Sequence, residues 1–89
     1  MFSFSWALEE LKNGNKVARN GWNGKGMWLI LVSGSVDINF VDGSAYNKAG
    51  LTSGTINPHI DMKTASGEMQ PGWLASQTDM LAEDWVLVE

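Results

Sequence analysis

The chain has 89 residues, which is enough for one domain around one core and too few for a second. Ten acidic residues against six basic ones give a net charge of -4, which argues against a protein that coats nucleic acid through its phosphates or lies on an anionic membrane surface. Cysteine is absent, so a disulfide framework, a thiolate zinc site and a thiol nucleophile are all excluded.

Phe4, Ala7, Leu8 and Leu11 recur at helical spacing with Glu9, Glu10 and Lys12 on the other side, predicting an amphipathic helix from Ser3 to Lys12. Ser3 or Ser5 is its N-cap, because a hydroxyl satisfies an orphaned first-turn amide, and Asn13-Gly14 supplies a left-handed stop. Val17 to Arg19 is a short strand ended by Asn20-Gly21. Met27 to Val32 is an unbroken apolar run suited to a strand buried on both faces. Between the two, three glycines surround Trp22 in Gly21-Trp22-Asn23-Gly24-Lys25-Gly26, a tight loop carrying one large flat side chain.

Residues 33–58 are rich in Gly, Ser, Asn and Thr, and only Val36 to Val41 alternates clearly, with Val36, Ile38 and Phe40 against Asp37 and Asn39. Ile60 and Met62 then alternate with His59, Asp61 and Lys63. A turn at Ser66-Gly67 and a return over Glu68 to Gln70 complete a hairpin that Pro71-Gly72 ends. Ser76-Gln77-Thr78-Asp79 matches a capping box ahead of Met80, Leu81 and Ala82, and Trp85 to Val88 closes the chain as a strand. The order predicts a single α+β domain over residues 1–89: an antiparallel sheet with an N-terminal helix and a short helix before the C-terminal strand.

Catalysis finds little support. His59 is the lone histidine and falls on the polar side of its hairpin, where a solvated surface role is expected. Asp79, Glu83 and Asp84 have the spacing of paired carboxylates, but equally that of a helix first turn and a solvated face. No His-rich pattern offers a metal site, so no catalytic residue, metal or cofactor is assigned. The Gly21 to Gly26 loop lacks the terminal Lys-Ser/Thr of a P-loop and the dinucleotide glycine spacing.

Five tryptophans in so short a chain point instead to a pocket or an oligomer. Trp6, Trp28 and Trp85 fall at amphipathic or strand positions and are assigned to core or subunit contact. Trp22 and Trp73 fall at loops, where an indole can stack on a base and the pair can form a clamp; for Trp22 the competing reading is a plug at the end of the sheet. The helix start at Ser76 offers amides to an anion, unless Asp79 already caps them. With no signal peptide and no run near ~20 apolar residues, the expected compartment is the cytoplasm.

The segments Lys16-Val17-Ala18-Arg19-Asn20-Gly21-Trp22-Asn23-Gly24-Lys25-Gly26-Met27 and Trp73-Leu74-Ala75-Ser76-Gln77-Thr78-Asp79-Met80-Leu81-Ala82-Glu83-Asp84-Trp85 together resemble a phage and prophage family, the second Thoeris anti-defence proteins. The resemblance implies a molecular sponge in the cytoplasm of an infected bacterium. Such a sponge sequesters a cyclic ADP-ribose signal, a glycocyclic ADP-ribose isomer, without cleaving it, so that the defence effector stays off. It also implies a homotetramer with pockets between subunits, while the net charge of -4 sets aside nucleic acid polymers and membranes as partners. Carried over by motif, Trp22 and Trp73 stack on the purine and shield the sugars, while Asn23, Ser76, Gln77 and Asp79 supply hydrogen bonds to phosphate, ribose or base. The alternatives are a general cyclic-dinucleotide sponge and a protein-interaction module that binds no small molecule.

Overall fold

Helix α1 (Phe4–Lys12) starts at Ser3, whose hydroxyl accepts the Trp6 amide at 3.3 Å, and stops at Asn13 and Gly14, the latter in the left-handed region at φ 87°. In the computed structural model, which describes residues 1–22 and 25–89, this helix lies across one face of a five-stranded antiparallel sheet. The strands are β1 (Lys16–Arg19), β2 (Trp28–Val32), β5 (His59–Lys63), β6 (Met69–Gln70) and β7 (Trp85–Val88), in the order β6-β5-β2-β1-β7. Helix α3 (Gln77–Leu81) precedes β7, so the α+β layout read from the sequence is the one observed. The fully buried core joins Ala7 and Leu11 of α1 to Val17, Leu29 and Trp85 of the sheet, Leu11, Val17 and Leu29 each contributing roughly 1.5–3 kcal/mol on burial.

Register decides which side chains share that face. Leu29 opposes Met62 and Leu31 opposes Ile60, and all four pack toward α1. Trp28, Ile30 and Val32 oppose Lys63, Asp61 and His59 on the far face. The double-sided burial expected of the Met27 to Val32 run is therefore corrected. Leu29 is enclosed, whereas Trp28, Ile30 and Val32 are half-open. Trp28 is not a core residue of this chain either: the ammonium groups of Lys16 and Lys63 lie over its ring, at 5.2 and 5.7 Å from its centroid.

The poorly patterned stretch holds a strand where Val36 to Val41 alternates and two elements that sequence reading missed, a short helix and a second strand. Strand β3 (Ser35–Asn39) leads through a one-turn helix α2 (Ala45–Lys48), capped by Ser44, to strand β4 (Ser53–Ile56), and among the described residues β3 and β4 pair only with each other. Gly34, at φ 79°, starts this arm where an added Cβ would run into the Ile56 carbonyl, so glycine is required. Phe40 stacks on Tyr46 at 4.8 Å and covers Gly54, while Val36, Val41 and Leu51 face solvent. The arm lengthens the molecule: the radius of gyration is 15.4 Å, against about 12 Å for a compact chain of this length.

Candidate functional site

Strand β1 delivers Arg19 to the core-facing side two residues after Val17, and the chain turns there, with the Trp22 amide donating to the Arg19 carbonyl at 3.3 Å. The guanidinium forks between two carboxylates. Nη1 donates to Asp79 Oδ1 and Nε to Asp84 Oδ1, both at 2.9 Å. Asp84 also accepts the Gly21 amide on Oδ2 at 2.8 Å, and its carbonyl accepts the Asn20 amide at 3.0 Å. Any side chain at Gly21 would displace that carboxylate. The turn before Trp22 is thus pinned to the segment between α3 and β7.

Asp79 is fully engaged by the protein. Its Oδ1 accepts from Arg19 and, at 3.3 Å, from the Trp22 indole Nε1, while Oδ2 accepts the Ser76 amide and hydroxyl. Ser76 Oγ accepts the Asp79 amide in return, which completes the capping box read from the sequence. The Asp79 carbonyl takes the Trp85 indole Nε1 at 3.0 Å. Burial pushes the Asp79 carboxyl up, but the hydrogen bonds from Arg19, Ser76 and Trp22 outweigh it and hold the group below its ordinary value. The hydrogen bond from Arg19 lowers Asp84 in the same way.

Those depressed values set the pH response. A carboxylate stronger in the fold than in the unfolded chain adds stability above its ordinary value, near 3.8 for these aspartates, and loses it as pH falls through the native value. The thermal midpoint is expected to be flat from neutral pH to about 5 and to fall below about 4, followed by near-UV circular dichroism of the tryptophans. An Asp79→Asn/Asp84→Asn protein is expected to show a smaller acid-side drop; an identical drop would place the acid sensitivity elsewhere.

Four rings meet beside this network. Buried Trp85 lies edge-on to Trp22 at 5.5 Å and 79° and to Trp73 at 6.2 Å and 84°, with Phe4 at 5.4 Å on another side. Trp22 and Trp73 are 6.4 Å apart at 64°, an edge-on contact rather than two parallel plates. Both are half-buried against the core, so the two loop indoles considered as a clamp also take part in packing. Each indole leaves part of its surface to solvent, and among the described residues of one chain these groups enclose no cavity.

Of the six residues singled out in the sequence, the structure brings Trp22, Trp73, Ser76 and Asp79 together, and Gln77 lies exposed on the first turn of α3. Asn23 lies outside the described residues. Sequence reading missed Arg19, Asp84 and the central place of Trp85. The available signal for Arg19 was a cation in phase with buried Val17 on a short strand. His59, expected to be solvated, is half-buried and bonds through Nδ1 to Asp61 Oδ1 at 2.6 Å.

A family model described as the Thoeris anti-defense 2-like domain matches residues 2–88. The chain is also 45% identical over 89 residues to the protein named Thoeris anti-defense 2 of Bacillus phage SP01, covering 97% of this chain and 93% of that one.

Proposed function

The chain belongs to the Thoeris anti-defense 2-like family, and from that premise we propose that it protects a phage by binding a cyclic ADP-ribose-type signalling nucleotide and withholding it uncleaved from the Thoeris effector in the cytoplasm of the infected bacterium. One observation carries the reading. Two half-open indoles, Trp22 and Trp73, meet edge-on over a buried third, with Trp22 braced through Asp79 by the Arg19 network, beside the exposed Gln77 turn. Aromatic faces held this rigidly take up a purine with little ordering cost, each stack being worth roughly 1–3 kcal/mol.

A sponge that outcompetes a sensitive effector needs about -12 kcal/mol, the equivalent of nanomolar affinity, so stacking alone falls short. The remainder calls for buried hydrogen bonds and for a second wall over a surface that one chain leaves open. We assign that wall to a neighbouring subunit in a homotetramer. The exposed apolar groups of the arm, Val36, Val41, Tyr46 and Leu51, together with Leu74 and Leu81, favour such assembly, because a two-stranded arm gains little stability by itself.

The protein is to be mixed with excess glycocyclic ADP-ribose, separated from unbound ligand, heated, and the supernatant analysed by mass spectrometry. Intact nucleotide, released in an amount that stops at a fixed ratio to protein, is the expected result. Continuous conversion of the excess makes the protein an enzyme, and retention of nothing leaves a protein-interaction role. Native mass spectrometry of the same sample reads the subunit number.

A further inference from the structure

Asp61 is the charged residue that the fold buries most among the described residues, and nothing in the site above uses it. It sits in β5 opposite Ile30, on the sheet face away from α1, where a carboxylate is costly unless donors surround it. Two donors converge on its Oδ1: His59 Nδ1 at 2.6 Å and the backbone amide of Gly72 at 3.0 Å. The neighbouring Trp73 amide donates to the Ile60 carbonyl at 2.7 Å. Two consecutive residues of β5 therefore hold two consecutive amides of the loop that carries Trp73. Gly72 turns between them at φ 77°, a conformation that favours glycine and leaves its amide aimed at the carboxylate.

From this arrangement we propose that Asp61, braced by His59, is the positioning residue that sets the Trp73 indole in the candidate site; its effect on ligand rests on the function proposed above. The rest of the loop is loosely tied. Pro71 has no amide to donate, Leu74 faces solvent, and β6 is only two residues long. The bond from Gly72 to Asp61 is the side-chain tie nearest Trp73, and removing the acceptor loosens the backbone on which the indole is set, while the Trp73 amide bond to Ile60 and the ring contacts on the α1 side remain.

The test compares Asp61→Ala with Asp61→Asn, which keeps one acceptor oxygen. Without ligand, amide hydrogen exchange in Asp61→Ala is expected to quicken at least about tenfold at Gly72 and to stay unchanged at Val17 and Leu29, with a change in the near-UV tryptophan signal. With glycocyclic ADP-ribose, calorimetry is expected to show about tenfold weaker binding in Asp61→Ala and recovery to within about threefold in Asp61→Asn. Equal acceleration at Gly72, Val17 and Leu29 would mean that Asp61 supports the whole fold, and an unmoved Gly72 amide would mean that it holds nothing; either result overturns the proposal. Should Asp61→Ala fail to fold, His59→Ala removes only the brace, and there too Gly72 is expected to exchange faster than in the unsubstituted protein while Val17 and Leu29 do not. If the unsubstituted protein binds no nucleotide, the function above falls and the exchange pattern alone judges the hold of Asp61 on the Trp73 loop.

Discussion

Replacing Arg19 with alanine is expected to lower stability by about 2–4 kcal/mol, or roughly 10–25 °C in thermal midpoint for a domain of this size. The Arg19 side chain is 15% exposed and its partners Asp79 and Asp84 are 13% and 23% exposed, so water cannot freely replace the lost donors. Truncation strands two neighbouring carboxylates without their shared cation, which is worse than deleting an ion pair whole. The damage then spreads, because Asp79 also holds the Trp22 indole and Asp84 holds the Gly21 amide.

Arg19→Lys is expected to recover less than half of the loss, since an ammonium is a point charge that lacks the fork spanning both carboxylates. Arg19→Ala/Asp84→Asn is expected to melt above Arg19→Ala, because one stranded charge has been removed. A midpoint for Arg19→Ala within about 2 °C of the unsubstituted protein would show the network to be incidental. Calorimetric or circular dichroism melts at pH 7 suffice, and the pH is chosen so that both aspartates are ionised.

Local rules made α1, α3 and the hairpin legible. The phase of Phe4, Ala7, Leu8 and Leu11, the Asn13-Gly14 stop, the Ser76 to Asp79 capping box and the return from Ser66-Gly67 each depend on residues close in the chain. The arm was opaque for the opposite reason. Its apolar residues have no face of the main sheet to match, so the alternation at Val36 to Val41 marked strand β3 without showing its partner, and α2 is a single turn resting on one serine cap. Flanking glycines signal exposure of Trp22 locally, whereas its partial burial is set by Trp85, 63 residues away. Asp61 and His59 were visible as a same-face pair on a strand, but only the fold brings Gly72 to them.

That burial changes what mutation of the indoles must be asked to show. Trp22→Ala is expected to weaken glycocyclic ADP-ribose binding by about a hundredfold, the upper range of one lost stack together with the disorder it leaves. It is also expected to cost about 2–3 kcal/mol in stability, because the ring packs edge-on against Trp85 and donates to Asp79. Loss of binding by itself therefore proves nothing unless the variant is shown to be folded at the temperature of the titration. Trp22→Phe separates the two contributions. It keeps an aromatic face and most of the packing and gives up only the 3.3 Å bond from Nε1 to Asp79, so it is expected to bind within about tenfold and to melt within about 1 kcal/mol of the unsubstituted protein. Trp73→Ala and Trp73→Phe are expected to repeat the pattern. If Trp22→Ala and Trp73→Ala are destabilised yet bind nucleotide as the unsubstituted protein does, the indoles are part of the core and the ligand sits elsewhere.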